Sequence, residues 1–592
     1  MPIEPALERS PSEISSKTNV DVPSVSNEKP VENGANDANA TDDAANAKKL
    51  RTQRILTFVG LQLSLFLAAL DSTIVSTALP RIGSDFNQMS IVSWVATAYI
   101  LTFDACQPLY SKFSDIFGRK WILIFGIVVF LFGSVLCGAA QSMIMLIIAR
   151  AIAGIGGAGI FSMVFIIFSD LVPLEKRGTY QGIVNAVFAL SSVFGPLIGG
   201  SFTDYVTWRW NFYINLPIGA AAMVVLLLYL RLPTPKEAFR EKLKRIDYVG
   251  TFIVLIFATL FLLAMNFGGQ TFPWKSAAVI VPLVLTVLLV ALLVFVECKF
   301  AKEPLMPPRL FKNRTVVSIL ISNWFFGITL YTMVFYLPIY FQVVRADSAM
   351  WSGIRLIPMQ MMICVFSTAA GIFISRVGVF RPLIIFGMAM LTLCVGLISL
   401  FGLDTNWSMI YGITIIGGVG LGCIFSSAII ALQAAVEHRD IAVVTGLGNF
   451  SRILGGALGV AIASAVLNSS LTSDLPLVIP KEYATQVIAS SEFVRNGLPP
   501  QYIEPTLDVY VDALRLIWYV MIPMSGIGFI ATLFVQHHAI KKPKQPKPSN
   551  VDGHKSTEAA PAEAPGEEIV VDLPAGSEKH EISSNSKVDD SH

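Results

Sequence analysis

Charged residues are scarce in this sequence. Only 14% of its 592 residues are charged, whereas 54% are hydrophobic. This composition excludes an ordinary soluble enzyme and indicates an integral membrane protein. The six cysteines lie in or beside apolar runs, and none belongs to a Cys-x-x-Cys or Cys/His cluster. We therefore predict neither a disulfide framework nor a metal site.

Motifs of ATP-driven transport and of hydrolysis are also missing. The sequence has no Walker loop, no nucleophile elbow and no His-Glu-x-x-His motif, so we expect neither an ATP-driven pump nor an enzyme, and no cofactor. The net charge of +2 says nothing about partners, and we expect no nucleic-acid partner. A non-transporting sensor is an alternative, but the tails are short and featureless, which argues against a signalling role.

Both ends of the chain are poor in aromatic and apolar residues. Residues 1–50 and 541–592 cannot bury enough apolar surface to fold alone, and we predict disordered tails. Met1 does not begin a basic-then-apolar pattern, so we expect no cleaved signal peptide. The first apolar helix must then direct membrane insertion.

Long apolar runs fill the rest of the chain. Runs near 20 residues with few charges predict fourteen transmembrane helices. They span 55–79, 91–113, 121–140, 143–169, 180–202, 211–231, 247–267, 276–297, 315–342, 351–375, 382–402, 407–435, 441–467 and 513–537. The predicted fold class is thus all-α integral membrane, with both tails on one side.

Basic residues alternate between the short loops. Nineteen Lys and Arg residues fall in one set of loops and four, Arg81, Arg209, Lys275 and Arg345, in the other. Because basic loops stay in the cytoplasm, the richer set and both tails are predicted to be cytoplasmic. Residues 468–512 then form an external loop. Asn468 and Asn406 are candidate glycosylation sites, although Asn313 carries a sequon on the cytoplasmic side, so sequons add little.

The two halves of the chain resemble each other. Gly182-x-x-Asn185 is followed ten residues later by Gly195, and Gly446-x-x-Asn449 by Gly459 in the same way. Duplicated bundles around a central cavity are typical of secondary transporters. We predict six-helix bundles at 51–231 and 315–540, joined by two linking helices within 232–314.

A short charged segment separates the second and third helices. By spacing alone, its basic residues are inside-facing charges that set orientation. Asp115, Gly118, Arg119 and Lys120 match the Asp-x-x-Gly-Arg-Lys core of the signature loop of the major facilitator superfamily. Ser111 and Ile116 depart from the usual Gly and Arg of that signature. The resemblance implies the major facilitator fold and a conformational latch at this loop.

Further motifs resemble the fourteen-helix drug:proton antiporter branch of this family, which includes fungal-type multidrug and toxin efflux transporters. They are the segments 70–80, 191–200 and 208–219, and Arg150 with Gly154. The glycines Gly195, Gly199 and Gly200 would allow close helix packing, and Pro196 a bend. The resemblance further implies that this helix controls leak and direction, and that Arg150 takes part in proton transfer.

Ionisable residues inside the predicted helices are candidate functional groups, because charges at bilayer depth are costly. Asp71 is predicted to be the principal proton-coupling carboxylate, with Asp104 as a second; Asp71 is a helix-end acid if the boundaries are shifted. Arg452 has either a structural or a functional role. With Trp324 and Tyr331 it is a candidate cavity residue.

These observations predict a proton-coupled exporter of amphipathic small molecules such as drugs, toxins or secondary metabolites. The alternative is a vacuolar transporter of basic amino acids, which needs paired carboxylates; only Asp71 and Asp104 are obvious candidates. We expect a monomer in a lipid bilayer, in the plasma membrane rather than the vacuolar membrane.

Overall fold

A computed structural model describes residues 34–536, apart from 89, 90, 93, 234–236, 270, 271, 302 and 490–492. Its long helices, labelled here in chain order, are α1 Gly34–Ile74, α2 Trp94–Phe117, α3 Arg119–Gly138, α4 Met143–Leu171, α5 Leu174–Tyr205, α6 Asn215–Tyr229, α7 Tyr248–Phe267, α8 Ala277–Lys299, α9 Arg314–Ile339, α10 Ala349–Val377, α11 Arg381–Ile398, α12 Trp407–Ala434, α13 Ile441–Val478 and α14 Pro500–Leu533. Each corresponds to one predicted span.

Twelve helices of the described residues are long and apolar enough to cross a membrane. Helices α2 and α5 are long enough but not apolar enough to meet this criterion, because they hold more polar residues than their neighbours. Both are flanked by helices that meet it. The all-α membrane fold is therefore confirmed, while the full number of fourteen spans stays a prediction.

The first predicted helix is interrupted near its outer end. Helix α1 ends at Ile74 and is followed by a short 3₁₀ helix, Val75–Thr77, and then by the helix Leu79–Asp85. At the other end, α1 begins at Gly34, so part of the predicted disordered tail 1–50 is helical instead. Residues 1–33 and 541–592 lie outside the described residues.

Most of the predicted external loop 468–512 is helical, while its external location stays a prediction. Helix α13 continues to Val478 and α14 begins at Pro500, with the short helices Lys481–Ala489 and Phe493–Asn496 between them. Apolar side chains from all of these helices, including Leu475, pack together in one cluster. We call residues 479–499 the outer cap.

Arg495 of the outer cap forms hydrogen bonds with the turn that follows α9. The guanidinium of Arg495 donates hydrogen bonds to the carbonyl of Val343 at 2.9 and 2.7 Å and to that of Val344 at 2.6 Å. These carbonyls end a π-helical turn, Tyr340–Val344, where the helix itself supplies no donor. Burial lowers the pKa of Arg495 from its usual value.

The linking helix α7 lies between the two halves. Its Phe267 ring is 5.5 Å from Trp94 of α2, and its Phe257 ring is 6.1 Å from Phe450 of α13. Asn266 also donates to Thr97 at 3.3 Å. The helix therefore packs against both bundles along the seam formed by α2 and α13.

The halves also meet directly near their predicted cytoplasmic ends. Gly178 of α5 and Gly371 of α10 approach so closely that a Cβ on either would collide with the other's backbone. Arg177 donates to Gln433 of α12 at 3.0 Å. Helices α5 and α10 are thus in contact at this end, which is closed to passage between them.

The predicted topology can be checked by chemical labelling. Exposed positions on opposite predicted sides are Glu482 in the outer cap and Arg439, whose side chain is 63% exposed. A membrane-impermeant maleimide added to intact cells should label Glu482→Cys above the background of the native cysteines and leave Arg439→Cys unlabelled. Permeabilised cells should show both. The reverse pattern in intact cells contradicts the orientation.

Candidate transport site

The most deeply buried charges form an ion pair between α1 and α4. Arg150 donates to a carboxylate oxygen of Asp71 at 2.6 Å, and the two side chains are 2% and 0% exposed. The structure thus unites two candidate residues that lie 79 positions apart. Since a buried charge without a partner is strongly destabilising, each charge holds the other in place.

Neighbouring helices satisfy the remaining hydrogen-bonding groups of this pair. Asn215, in the first turn of α6, donates to the other oxygen of Asp71 at 2.9 Å. Arg150 donates to the carbonyl of Val95 at 3.0 Å, and its guanidinium lies 4.2 Å from the centre of the Tyr99 ring. Four helices therefore meet at one buried ionic cluster. Asn215 lies within the 208–219 motif but was not predicted as a site residue, because an uncharged amide does not stand out in an apolar run.

A second buried carboxylate lies on α2. Asp104 is 1% exposed, and within the described residues its Oδ2 atom has no hydrogen-bond partner. Arg452 of α13 acts on it electrostatically, as does Tyr331 of α9 on Arg452. The structure thus brings three candidate residues from both halves together. Trp324 instead packs against the linking helix, with its ring 6.1 Å from Phe261.

The signature loop forms the predicted charged turn. Gly118 has a φ of 97°, which disfavours any residue with a side chain, and it precedes the first turn of α3. Arg119 bridges two carboxylates, Asp115 at 2.6 Å and Asp170 at the end of α4 at 2.9 Å. Lys120 donates to the carbonyl of Leu227 at 2.8 Å. Asp170 was not predicted, because nothing in its local sequence marks it.

The loop after α8 adds a further carboxylate near the cytoplasmic end of α2 predicted above. Glu303 contacts Lys112 at 3.1 Å and Arg245 at 2.7 Å. Partial burial opposes ionisation of Glu303, but hydrogen bonds from Arg245 and Lys112 outweigh it and hold its pKa below the usual value. The linking segment is therefore tied by charge to the cytoplasmic end of α2.

The glycines of the antiporter motif differ in their surroundings. A Cβ on Gly195 would strike the Thr73 hydroxyl of α1, and a Cβ on Gly199 would strike the carbonyl of Ile74, whereas Gly200 has no atom within 4 Å of that position. Two of the three glycines therefore permit the close packing of α5 on α1. Pro196 lies within the backbone of α5.

The two candidate glycosylation sites differ in accessibility. The amide of Asn468 lies within α13 and donates to the carbonyl of Gly269 at 2.7 Å. Asn406 is exposed and caps the start of α12, accepting a hydrogen bond from the Ser408 amide at 3.1 Å. The fold leaves the Asn406 amide nitrogen the more accessible of the two, and modification of either stays a prediction.

A sequence profile described as Major Facilitator Superfamily matches residues 61–460. The chain belongs to this family. The fold agrees with a solved structure of a human organic anion transporter, MFSD10 (TETRAN), with a TM-score of 0.54 at 14% identity, covering 82% of this chain and 99% of that one.

Curated fungal relatives cover most of the chain. An MFS-type efflux pump, MFS1, of Arthroderma benhamiae is 35% identical over 82% of this chain and 91% of its own length. The efflux pump FUS6 of Gibberella fujikuroi is 35% identical over 81% and 88%. The efflux pump dotC of Dothistroma septosporum is 36% identical over 81% and 83%.

Because Arg119 bridges two carboxylates, removing either one should weaken the same latch. Asp115→Asn and Asp170→Asn should each lower transport several-fold with normal protein levels, since losing a hydrogen bond to a charged group costs about 1–3 kcal/mol. The double variant should be less impaired than the product of the two single effects. Initial transport rates in vesicles measure this. Wild-type rates for both single variants would reduce the loop to an orientation signal.

The glycine motif offers a matched comparison on one helix. Gly199→Ala should impair folding or transport, because the added methyl group collides with the backbone of α1, whereas Gly200→Ala should retain wild-type behaviour. Thermal denaturation of the purified variants and transport by them measure the difference. Equal effects of the two substitutions would show that close packing at Gly199 is unimportant.

Proposed function

We propose that this protein exports amphipathic small molecules, such as toxins or secondary metabolites, in exchange for protons. The relatives MFS1, FUS6 and dotC are efflux pumps, which supports export as the direction. We place it in the plasma membrane, where export removes a compound from the cell. No enzymatic activity is expected.

The observation that carries this proposal is the ion pair between Asp71 and Arg150. Both charges are sealed from solvent inside the N-terminal half, and ionisable groups in such positions are characteristic of proton pathways. Of the two, the carboxylate is the group that can take up a proton, because a guanidinium stays charged. Asp71 is accordingly the proposed proton carrier of this half.

Proton uptake would change the packing of four helices. A proton on Asp71 removes its negative charge and leaves Arg150 buried with only neutral partners, the Val95 carbonyl and the Tyr99 ring. Such an arrangement is less stable than the pair, so α1 and α4 would shift until Arg150 reaches water or another anion. Release of the proton on the other side would restore the pair.

The ion pairs of Arg119 would connect this movement of α4 to the cytoplasmic side. Arg150 and Asp170 lie on the same helix, α4, and Asp170 holds Arg119 at the start of α3. A displacement of α4 would therefore strain the Arg119 bridge and favour separation of the halves where α5 meets α10. In this scheme the state described here is closed at the cytoplasmic end.

Basic amino acids are less suited to this protein as substrates. A cationic substrate would need carboxylates free to bind it, yet Asp71 is paired with Arg150, and Asp104 faces the charge of Arg452. The geometry thus favours uncharged amphipathic molecules over basic amino acids, and with them the plasma membrane over the vacuole.

Replacing the proposed proton carrier tests the mechanism. Asp71→Asn should abolish uphill efflux driven by a pH gradient, because it removes the titrating group while keeping the side chain's shape. Substrate binding or downhill exchange should remain detectable. Proteoliposomes with an imposed pH gradient measure both. If Asp71→Asn concentrates substrate as well as wild type, Asp104 or another acid carries the proton.

Two controls separate coupling from misfolding. Asp71→Asn combined with Arg150→Gln removes both charges of this pair, so the double variant should be better folded than Asp71→Asn but equally uncoupled. Asp404→Asn changes an exposed loop carboxylate and should transport as wild type. Uphill efflux by the double variant would contradict the assignment of Asp71.

A further inference from the structure

Helices α2 and α13 run in opposite directions, and one close contact shows how they are aligned. A Cβ on Gly446, in the second turn of α13, would meet the Ser111 hydroxyl near the end of α2 and would lie 3.8 Å from the carbonyl oxygen of Gln107. One turn further along each helix come Gln107 and Asn449. The next turn brings Asp104 and Arg452.

Polar atoms at these two levels lack partners despite full burial. Gln107, Asn449 and Asp104 are 0%, 2% and 1% exposed. Within the described residues, no hydrogen bond reaches Oε1 or Nε2 of Gln107, Nδ2 of Asn449 or Oδ2 of Asp104. A buried polar atom left unpaired costs about 1–3 kcal/mol. Four such atoms thus lie on facing helices, where a polar ligand could supply their missing hydrogen bonds.

The level that holds Asp104 and Arg452 carries one acidic and one basic side chain. The carboxyl group of Asp104 comes from the N-terminal half and the guanidinium of Arg452 from the C-terminal half, and their formal charges cancel. The two groups interact electrostatically. Their charged atoms are more than 4.0 Å apart, so they do not form a direct ion pair. The guanidinium of Arg452 lies 5.1 Å from the centre of the Phe425 ring. The seam thus offers a donor and an acceptor, with aromatic surface beside them.

We propose that Asp104, Gln107, Asn449 and Arg452 bind the polar group of the exported molecule, and that the neutral sum of their charges selects uncharged molecules with a hydrogen-bond donor and an acceptor side by side, as in an imide or a carboxamide. Asp104 accepts from the donor, Arg452 donates to the acceptor, and the two amides supply one of each. This inference rests on the proposed export function and names its substrate class.

The position of this seam site fits a transport cycle. The contact between Ser111 and Gly446 covers it on the predicted cytoplasmic side, so parting of α2 and α13 at that end exposes it for loading. The ionic cluster of Asp71 and Arg150 lies wholly within the N-terminal half, whereas the seam site takes its residues from both halves. Its ligand therefore contacts both moving bodies.

Charge selectivity provides the test. The full-length purified protein is assayed by equilibrium dialysis with three probes: cycloheximide, a neutral imide; ethidium, a cation; and fluorescein, an anion. Wild type should bind cycloheximide most tightly. Asp104→Asn leaves the charge of Arg452 unbalanced, so the affinity for fluorescein relative to cycloheximide should rise about tenfold. Arg452→Gln leaves the charge of Asp104 unbalanced, so the affinity for ethidium relative to cycloheximide should rise about tenfold.

The combined variant Asp104→Asn with Arg452→Gln should again prefer cycloheximide, with weaker binding. Asp404→Asn, outside the seam, should leave all three ratios unchanged. Opposite shifts in the two single variants support the site. A parallel loss of all probes, unchanged ratios, or a wild type that prefers a charged probe or binds none overturns it. If a single variant fails to fold, Asp104→Glu and Arg452→Lys should keep the neutral preference while lowering affinity, and unaltered affinity in both overturns the site.

Export is measured separately, so the two proposals fail in different ways. Wild type that binds cycloheximide but does not lower its level in energised cells refutes the export function and leaves the seam site standing. Wild type that exports the compound while the single variants keep their probe ratios refutes the seam site and leaves export intact.

Discussion

The high cost of an unpaired charge away from water is the constraint on which this structure depends. Asp71 and Arg150 meet that constraint together, and the contacts that complete their hydrogen bonding come from α2 and α6. On the proposed mechanism, neutralising Asp71 would change how the four helices that meet at this pair, α1, α2, α4 and α6, pack together.

Close helix contact is the second requirement, and it depends on small residues. Gly178 and Gly371 bring the backbones of α5 and α10 together across the halves, and Gly195 and Gly199 do the same for α5 and α1. Because lipid is as apolar as most side chains, such packing and the polar contacts beside it hold membrane helices together. Helix α5 thus packs closely on a helix of its own half and on a helix of the other half.

The linking segment makes contacts with both halves of the protein. Helix α7 contacts α2 and α13, and Glu303 from the loop after α8 reaches Lys112 at the end of α2. The linking segment is therefore in contact with both sides of the seam between the halves. The outer cap acts at the opposite end, where Arg495 holds the last turn of α9.

The amino-acid sequence by itself determined the membrane class, the positions of the helices and the turn at Gly118, because apolar runs and a glycine-dependent turn are local properties of the chain. It also singled out Asp71, Asp104, Arg150 and Arg452 as unusual charges. Only the tertiary structure decided which of them are partners, since contacts between distant helices leave no trace in local composition. The helical outer cap was missed for the same reason: its polar segments are stabilised by packing on neighbouring helices rather than by their own apolarity.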